Sequence, residues 1–432
     1  MFMEVKVEKD KILRISGPAS ISIKKGSIRI LGATYSAGNR VVINRFRSYA
    51  VKTLEDETVI NISLGDGGSV EEPAPGEEVI DLWERASLRI TDHCKNNDRC
   101  VVVVVGPVES GKSSYTCMLS NLLLAQGASV TIIDADIGQA DIGLPGFISM
   151  SSPSKPLLWL RDLYAEKLYF VGSITPSIYT HRVISGIEKL LAMALERTRT
   201  VVIDTDGWVH GAQAIEYKID LLRTIGPDFI VVLGEGLNNI LSRTFNNTSI
   251  NIVELPSPKI VKKRNREDRR YLRSKAYRRY LEKSKQRRLK IEDISILGSF
   301  LFSGEEVDLS PITNVLSPLG VKPLYASILY ETVFLVIDKP ANIKNIVDVV
   351  GTLFPGKEIY VFTKGFEKGL LTSILDDRLE DKAPGIISSI DFDKKEIIIQ
   401  TPYEGEIRAI HVGKIKLSET WEEVGKPSKY MI

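Results

Sequence analysis

The sequence predicts an α/β fold, in which a central doubly wound, mostly parallel sheet carries a P-loop and is flanked by small N- and C-terminal β domains. Three observations lead to this prediction. The β-branched run Val101–Val105 leads directly into a glycine-rich loop. Apolar runs alternate with helical patterns from about residue 77 to 255, which is typical of a parallel sheet covered by helices. Short runs punctuated by Gly, Pro, Asn and Asp precede and follow this region.

Composition and charge narrow the class of protein. The chain has 432 residues, of which 43% are hydrophobic and 26% are charged, as in ordinary globular proteins. Its net charge is only +2, so contact with nucleic acid must come from a local basic patch. No stretch has the form of a signal peptide or a membrane span, and we expect a cytoplasmic protein without a membrane partner.

Three cysteines are present, Cys94, Cys100 and Cys117. Their number is odd and their spacing matches no zinc pattern, so we expect reduced structural thiols. The four histidines form no ligand spacing, and we assign them no role.

Turn residues and periodicity divide the chain into three predicted domains. Residues 1–76 predict a β sandwich or barrel that ends in a linker. Residues 77–290 form the P-loop domain, and its last part, residues 259–290, is a strongly basic segment that we expect to be a helical lid. Residues 291–432 predict a second small β domain. The expected strands are Lys11–Ser16, Ala19–Ile23, Ser27–Leu31, Arg40–Asn44, Thr58–Leu64, Val101–Val105, Val130–Ile133, Leu168–Val171, Val201–Ile203, Phe229–Leu233, Leu324–Ile337, Ile359–Thr363, Ile386–Ile390, Glu396–Thr401 and Ile407–Val412.

The glycine-rich loop matches G-x-x-x-x-G-K-[ST] in full, between a predicted strand and a predicted helix. Its glycines let backbone N–H groups point at phosphate oxygens, and the helix N-terminus adds a favourable partial charge. We expect Lys112 to reach the β- and γ-phosphates of ATP and Ser113 to bind Mg²⁺ or another divalent cation. A chance glycine-rich turn is the alternative, and the flanking strand and helix argue against it. The expected nucleotide-binding residues are Gly106, Pro107, Val108, Glu109, Ser110, Gly111, Lys112, Ser113 and Ser114.

Acidic residues end two predicted strands, at the edge where open α/β sheets bind ligands. Asp134 and Asp136 follow one strand, and Asp204 follows another. Phosphoryl transfer to a hydroxyl needs a carboxylate that orients or deprotonates it. We expect Asp136 to act as base or metal partner, with Asp204 as its rival for the metal and Asp134 as a supporting residue. A helix cap or turn is the commoner use of a strand-end Asp.

The basic segment contains Arg269 and Arg273, which lie four residues apart and would share one helix face. Such a face beside ATP could clamp the transferring phosphoryl group. A solvated charged helix is the ordinary alternative, but the run is too one-signed for balanced surface pairing to be expected. Trp208, at a sheet edge, is either a packing residue or a platform for a terminal base.

Taken in order, these motifs resemble those of the polynucleotide 5′-hydroxyl kinases. That family has archaeal members, a eukaryotic pre-rRNA processing kinase and a kinase-like subunit of the mRNA 3′-end cleavage machinery. The resemblance covers essentially the whole chain. It is carried by residues 106–113, 136–139, 144–146, 170–176, 204–208 and the pair Arg269 and Arg273.

The resemblance implies roles for individual residues. Asp136 would prepare the 5′-hydroxyl near Mg²⁺, Thr175 would belong to a clasp on the substrate end, and Trp208 would contact the terminal nucleotide. The arginine pair would form a lid over the γ-phosphate, and the N-terminal β domain would help to hold the nucleotide base. We add Gln139 and Arg270 as substrate-binding residues.

Two positions depart from the family pattern. The clasp usually continues Thr-x-Gly, whereas here Thr175 is followed by Pro176 and Ser177. The strand before the tryptophan usually ends in Asn-Thr, whereas here it ends in Asp204 and Thr205. The first departure bears on the choice between RNA and DNA, and the second adds a carboxylate near the metal.

We therefore expect ATP-dependent transfer of the γ-phosphate to the 5′-hydroxyl end of RNA, with DNA as a second candidate substrate, in RNA processing or repair. Candidate protein partners are RNA-processing factors. One alternative is a non-catalytic ATP-binding scaffold of an RNA-processing complex. The other is a P-loop GTPase or ATPase switch, which would need a guanine-reading Asn/Thr-Lys-x-Asp element that is not found after Phe229–Leu233.

Overall fold

The computed structural model describes residues 2–425, which gather into two compact units. The first unit comprises residues 2–167 and 175–269, and the second comprises residues 168–174 and 270–425. The mixed α/β class is confirmed, whereas the division into three domains stays a prediction. Residues 426–432 of the predicted C-terminal domain lie outside the described residues. Among the described helices, none is both long and apolar enough to span a bilayer.

Nine strands at the start of the first unit form two antiparallel sheets, with orders β1-β8-β3-β6 and β5-β4-β7-β2-β9. Burial alternates along β3, β7 and β8, because successive side chains of a strand point to opposite faces. The five strands expected in this region are found within two residues of their predicted ends. The bounds are β1 Phe2–Val7, β2 Ile12–Ser16, β3 Ala19–Lys25, β4 Ser27–Ile30, β5 Ala33–Ser36, β6 Arg40–Ile43, β7 Ser48–Thr53, β8 Thr58–Leu64 and β9 Ser69–Glu71.

The predicted parallel sheet follows in the same unit. Strands β11, β14, β10, β15 and β16 are neighbours in that order and run parallel, whereas β12 pairs with β11 in the antiparallel sense. Every residue of β10 is buried, which explains its uninterrupted apolar sequence. The bounds are α1 Ile80–Asn96, β10 Cys100–Val105, α2 Lys112–Ala125, β11 Val130–Ala135, β12 Phe147–Ser151, β13 Lys167–Phe170, α3 Thr180–Leu195, β14 Thr200–Thr205, α4 Ala212–Ile225, β15 Phe229–Leu233, α5 Leu237–Phe245 and β16 Asn251–Leu255.

The N-terminal sheets and the parallel sheet share one hydrophobic core, although a linker-like sequence joins them. The Asn121 side chain on α2 donates hydrogen bonds to the carbonyls of Leu31 and Leu157, both at 2.7 Å. The Tyr49 hydroxyl on β7 donates to the carbonyl of Leu158 at 2.5 Å. The N-terminal strands are therefore held firmly against the part of the chain that carries the glycine-rich loop.

The second unit is not the purely β structure that the sequence suggested. It contains helices α7 and α8, and α8 joins the parallel neighbours β21 and β22. Helix α7 buries Ile312 and Leu316, and helix α8 buries Ile346 and Val350. Each pair has the i, i+4 spacing of one helix face, which the sequence prediction overlooked. The remaining bounds are α6 Arg266–Leu281, β17 Lys285–Lys290, β18 Ser295–Leu297, β19 Glu305–Glu306, α7 Leu309–Leu316, β20 Pro323–Leu329, β21 Thr332–Ile337, α8 Ile343–Gly351, β22 Glu358–Thr363, β23 Leu370–Leu375, β24 Asp381–Asp391, β25 Glu396–Thr401 and β26 Ala409–Lys416.

The prediction of one helical segment over residues 259–290 is also wrong in part. The helix is α6, which occupies only Arg266–Leu281, and Lys285–Lys290 is a strand that pairs with β25 in the antiparallel sense. Exposure along β17 has a period of two, with Arg287 and Leu289 half-buried between exposed neighbours. A period of two is typical of a strand that lies on a core. The sequence does not show this period, because most residues of the strand are basic on both faces.

The expectation of three reduced thiols is wrong for two cysteines. Cys94 and Cys100 form a disulfide, with their Cα atoms 5.0 Å apart, and Cys117 is a buried free thiol. Helix α1 ends at Asn96 and β10 begins at Cys100, so the turn between them brings the two residues together.

Candidate active site

A cavity of about 490 Å³ opens in the first unit where β10, β11 and β14 end. All the described residues that line it belong to that unit. They come from the N-terminal sheets, from the loops after the parallel strands, and from residues 258–269. The cavity therefore combines the glycine-rich loop with parts of the chain that carry no recognisable motif.

The glycine-rich loop is shaped by close packing at its glycines. A Cβ atom on Gly111 would lie 2.6 Å from the Trp83 ring, and one on Gly106 would lie 2.5 Å from the carbonyl oxygen of Leu233. Gly111 also has a φ of 99°, which side chains with a Cβ rarely allow. Helix α2 begins immediately afterwards at Lys112, so its N-terminus points into the loop.

Lys112 is buried inside this loop, with 7% of its surface exposed. Its ammonium donates hydrogen bonds to the carbonyls of Gly106 at 2.9 Å and Pro107 at 2.8 Å. Burial lowers the pKa of Lys112, and the carboxylates of Asp204 and Asp136 oppose that effect. The lysine is thus held at the centre of the predicted phosphate site, between the loop and the acidic strand ends.

Asp136 occupies a turn and also faces the cavity. Its Oδ1 accepts hydrogen bonds from the backbone N–H groups of Gly138 at 3.0 Å and Gln139 at 2.9 Å. No described residue donates a hydrogen bond to its Oδ2. Burial raises the pKa of Asp136, and repulsion from Asp206 adds to the rise. One oxygen therefore performs the ordinary turn role, and the other is available to a ligand.

Asp134 shapes the loop that presents Asp136. Its Oδ2 accepts hydrogen bonds from the N–H groups of Asp141 at 2.7 Å and Ile142 at 2.8 Å, and its Oδ1 accepts from the N–H of Asp136 at 3.2 Å. Both oxygens are therefore committed to the backbone.

Asp204 differs from its neighbours because its Oδ1 is buried without a hydrogen-bond partner among the described residues. Burial raises the pKa of Asp204 to about 7, against the opposing effects of the Lys112 ammonium and the Ser113 hydroxyl. A carboxylate oxygen beside a hydroxyl at a phosphate loop is the ligand set that suits Mg²⁺, which takes its remaining ligands from phosphates and water. Ser113 and Asp204 thus fit a divalent cation, and the role of Asp136 as a further metal partner stays a prediction.

Trp208 is held in place by a buried ion pair. Asp206 accepts hydrogen bonds from the Lys218 ammonium and the Tyr217 hydroxyl, both at 2.9 Å, and from the N–H of Trp208 at 2.9 Å. The Trp208 ring stacks on the Tyr217 ring with a centroid distance of 5.7 Å. Trp208 lines the cavity while its other face packs, so the two interpretations of this residue are compatible.

Glu109, at the tip of the glycine-rich loop, joins that loop to the start of the basic segment. Its Oε1 accepts hydrogen bonds from the Arg269 guanidinium at 2.8 Å and from the N–H of Arg264 at 3.2 Å. Burial would raise the pKa of Glu109, but these bonds outweigh it and lower the pKa. The arginine segment is therefore fastened directly to the phosphate loop.

Both arginines of the predicted pair lie on helix α6, four residues apart, but they have different partners. Arg269 lines the cavity in the first unit, whereas Arg273 and Arg270 belong to the second unit. Glu423 accepts two hydrogen bonds from the Arg273 guanidinium, at 2.7 and 3.0 Å, and Glu422 accepts one from Arg270 at 2.7 Å. The lid role of Arg273 and the substrate role of Arg270 stay predictions.

The expectation that the basic run is too one-signed for surface pairing is wrong in the second unit. Most of its basic side chains pair with carboxylates, many of which lie more than 100 residues away in sequence. The pairs are Arg270–Glu422, Arg273–Glu423, Arg278–Glu282, Lys285–Glu404, Arg288–Glu396 and Lys290–Glu292.

Two predicted substrate residues lie near the cavity wall. Gln139 lines the cavity, and its Oε1 is buried without a hydrogen-bond partner among the described residues. Thr175 precedes the short 3₁₀ turn Pro176–Ile178, of which Pro176 lines the cavity. Their substrate-binding roles stay predictions.

Among the cavity residues that sequence reasoning missed are Arg47, Asp141 and Arg264. Arg264 lay inside the basic run, whose charge was its only signal. Arg47 and Asp141 belong to no motif, and they lie 94 residues apart although they are hydrogen-bonded.

Comparison with known proteins assigns the chain to a family. Residues 106–283 match the family model described as mRNA cleavage and polyadenylation factor CLP1 P-loop. The chain is 30% identical over 330 residues to the polyribonucleotide 5′-hydroxyl-kinase of Pyrococcus abyssi, covering 75% of this chain and 89% of that protein. The chain belongs to the polyribonucleotide 5′-hydroxyl-kinase family. The family member of Methanocaldococcus jannaschii is 29% identical over 332 residues, with coverages of 75% and 89%.

More distant relatives match part of this kinase-family chain or only its fold. The polynucleotide 5′-hydroxyl-kinase NOL9 of Arabidopsis thaliana is 28% identical over 163 residues, covering 34% of this chain and 44% of that protein. A solved structure of the Clp1p–Pcf11p complex aligns with a TM-score of 0.62 at 14% identity, covering 96% of this chain and 98% of the other. At that identity the likeness shows the fold alone.

Replacing Glu109 by Gln removes a negative charge from the tip of the phosphate loop. We expect ATP to bind about three- to tenfold more tightly, because the charge repels a triphosphate. The N–H of Arg264 loses a charged acceptor, so its hydrogen exchange should accelerate. Calorimetric titration with ATP and hydrogen exchange measure the two effects. The control is Glu84→Gln. Glu84 is bonded to Arg29 at 2.8 Å and does not line the cavity, so this variant should change neither the ATP affinity nor the hydrogen exchange of the Arg264 N–H. Weaker ATP binding by the Glu109→Gln variant would contradict this account.

Proposed function

We propose that this protein transfers the γ-phosphoryl group of ATP to the 5′-hydroxyl end of RNA. One observation carries the proposal: Lys112 and Asp136 line one cavity, and the Asp204 carboxylate accepts a hydrogen bond from Ser113 in the same lining. Each carboxylate has an oxygen without a protein donor among the described residues. A nucleotide-holding module needs the lysine, but it does not need two such carboxylate oxygens. The names of the relatives that match three quarters of the chain agree with this activity.

ATP would be held by the loop that begins at Gly106 and by Lys112. The loop N–H groups and the helix N-terminus would face the β- and γ-phosphates, and the ammonium would exchange its two carbonyl acceptors for phosphate oxygens. A divalent cation, when bound, supplies positive charge across these phosphates, and Ser113 and Asp204 would hold it.

Asp136 would act on the attacking hydroxyl. Its Oδ2 accepts the proton of the 5′-hydroxyl, the hydroxyl oxygen forms a bond to the γ-phosphorus, and the bond from that phosphorus to the β–γ bridging oxygen breaks, so that ADP leaves. The raised pKa of Asp136 makes it a better proton acceptor than an exposed aspartate. The hydrogen bonds from Gly138 and Gln139 fix the carboxylate in one orientation.

Arg269 would neutralise charge on the transferring phosphoryl group. It can do so only by sharing or leaving Glu109, to which it is bonded at 2.8 Å. Arg273 would have to leave Glu423 to join it. We propose that Arg269 acts on the phosphoryl group in the transition state, where electrostatic stabilisation lowers the barrier.

The substrate end would rest on Trp208, with Gln139 and Thr175 as hydrogen-bonding residues and Arg270 as a contact to its backbone. Stacking on an aromatic ring is tolerant of base identity, which suits an enzyme that acts on ends rather than on a sequence. We propose RNA as the principal acceptor, DNA ends as a secondary one, and RNA-processing proteins as partners. The scaffold alternative is not favoured, because the catalytic carboxylates and the lysine are all present.

Lys112→Ala should abolish transfer while leaving the fold intact, because no other ammonium replaces it in the loop. The measurement is transfer of radiolabel from γ-labelled ATP to single- and double-stranded RNA and DNA oligonucleotides with 5′-hydroxyl ends. Lys95→Ala, at an exposed position of α1, is the control and should transfer label normally. Label transfer by the Lys112→Ala variant would show that the site is assigned wrongly.

The two carboxylates should be separable by substitution. Asp136→Asn should lower kcat by about 10²- to 10⁴-fold and leave the Mg²⁺ requirement unchanged, because it removes the proton acceptor. Asp204→Asn should instead raise the Mg²⁺ concentration needed for half-maximal rate. Steady-state rates over a Mg²⁺ titration measure both. If Asp136→Asn raised the Mg²⁺ requirement and Asp204→Asn lowered only kcat, Asp204 would be the proton acceptor and Asp136 the metal ligand.

The two arginines should also separate. Arg269→Ala should lower kcat by about 10²-fold with little change in ATP affinity, as for loss of one transition-state charge contact. Arg273→Ala should also lower kcat with little change in ATP affinity if Arg273 joins the lid. Glu423→Gln serves as its control, since it frees Arg273 without removing it. A kcat within twofold of wild type for the Arg273→Ala variant would restrict the lid to Arg269.

A further inference from the structure

Three arginines, an aspartate and a tryptophan, all of them buried or half-buried, gather beside the cavity. Three arginines, Arg47, Arg161 and Arg264, surround the Trp159 ring, and their guanidinium carbons lie 4.6, 5.4 and 6.0 Å from its centroid. Asp141 lies among them. These five residues are called the arginine cluster below. Guanidinium groups stack on aromatic faces with little loss of hydration, which allows several of them to gather there.

Two arginines of the arginine cluster, Arg47 and Arg264, share their carboxylates with other donors. Asp141 accepts hydrogen bonds from Arg161 at 2.6 Å, Trp159 at 3.0 Å and Arg47 at 3.1 Å, so both of its oxygens are in use. The carboxylates that raise the pKa of Arg264 are Asp141 and Glu109, and Glu109 is already bonded to Arg269. Neither Arg47 nor Arg264 therefore has a carboxylate to itself, because Asp141 also bonds Arg161 and Trp159 and Glu109 also bonds Arg269.

Two of these arginines also have unused hydrogen-bond donors. A guanidinium has five N–H donors. Arg47 is 9% exposed, yet only its Nη2 finds an acceptor among the described residues, and its Nε is buried without one. No described residue accepts a hydrogen bond from the Arg264 guanidinium. Burial and the repulsion from Arg47 lower the pKa of Arg264 to about 10. A buried donor without an acceptor, as on Arg47, is costly and favours a bound ligand, and the half-buried Arg264 guanidinium lines the same cavity.

Both of these arginines line the cavity that contains Lys112. We propose that Arg47 and Arg264 form a second anion-binding site, separate from the glycine-rich loop, that takes the oxygens of a phosphate group. Arginine binds phosphate through paired N–H groups, and desolvation strengthens that contact. The N-terminal sheets would thus supply a charged residue to the kinase site, in addition to any contact with the nucleotide base.

The phosphate has two possible sources, and naming them rests on the proposed function. One is the triphosphate of ATP, and the other is a phosphodiester group of the nucleic-acid substrate. Both present the same oxygens to the arginines. Binding measurements that omit the other ligand distinguish them.

The test uses Arg47→Gln, Arg47→Lys and Arg264→Gln in the full chain. ATP affinity is measured by calorimetry without oligonucleotide. Affinity for a fluorescent 5′-hydroxyl RNA oligonucleotide is measured without ATP over a series of salt concentrations. Arg29→Gln is the control, because Arg29 also lies in the N-terminal sheets but is bonded to Glu84 and does not line the cavity. It should behave as wild type.

We expect Arg47→Gln and Arg264→Gln each to lose at least about tenfold in affinity for one of the two ligands, and Arg47→Lys to lose less. If the phosphate belongs to ATP, ATP binding weakens and the salt dependence of RNA binding is unchanged. If it belongs to the nucleic acid, RNA binding weakens and the slope of log K against log salt falls by about 0.7 per lost contact, as for single strands. Either result supports the site.

The proposal is overturned if the folded glutamine variants keep both affinities within twofold of wild type. In that case the arginine cluster serves only to tie the N-terminal sheets to the loop that contains Asp141. Thermal unfolding identifies the folded variants. Arg264→Gln decides the matter if the Arg47→Gln variant does not fold, since no described residue accepts a hydrogen bond from the Arg264 side chain. Neither measurement requires transfer, so a wild-type protein that binds but never phosphorylates RNA would contradict the proposed function alone.

Discussion

The structure depends on the hydrogen bonds made to the aspartate carboxylates that lie where β10, β11 and β14 end. Asp134 and Asp206 have every carboxylate oxygen bonded, the first to backbone N–H groups and the second to Lys218, Tyr217 and Trp208. These two residues fix the loops around the cavity. Asp136 and Asp204 each retain an oxygen without a protein donor among the described residues. Since buried polar groups are normally paired, the buried oxygen of Asp204 is a position where we propose that a ligand binds, and the second oxygen of the half-buried Asp136 belongs to a residue that lines the cavity.

The same distinction applies to the arginines. Arg273 is bonded twice to Glu423, and its charge is satisfied within the second unit. Arg264 has a cavity-lining guanidinium without an acceptor among the described residues, and Arg269 is bonded to the phosphate loop through Glu109. Spacing along a helix suggested the pair Arg269 and Arg273. Unused hydrogen-bond donors instead single out Arg47 and Arg264. Hydrogen-bond satisfaction and helical spacing therefore propose different arginines for the site.

The shared hydrophobic core gives the N-terminal sheets a part in the site. Tyr49 and Leu31 are bonded to the region around α2 and residues 157–158, so the neighbouring Arg47 reaches the cavity with a fixed orientation. A loosely tethered domain could not hold a buried arginine against Asp141 and Trp159. The linker-like sequence between the two regions is thus a loop on a single packed body.

The sequence by itself determined the glycine-rich loop, the parallel strands and the acidic strand ends, because each is specified by contiguous residues. A phosphate loop needs glycines at fixed spacing, and a strand covered on both faces needs a continuous apolar run such as Val101–Val105. The sequence prediction missed helices α7 and α8, although their buried residues have helical spacing. Only the tertiary structure decided which two of the four aspartates near the strand ends keep an oxygen without a donor among the described residues. It also decided that Arg47 is bonded to Asp141, 94 residues away, and Arg273 to Glu423, 150 residues away. Charge satisfaction is a property of pairs, and a linear pattern does not specify partners that folding brings together across such separations.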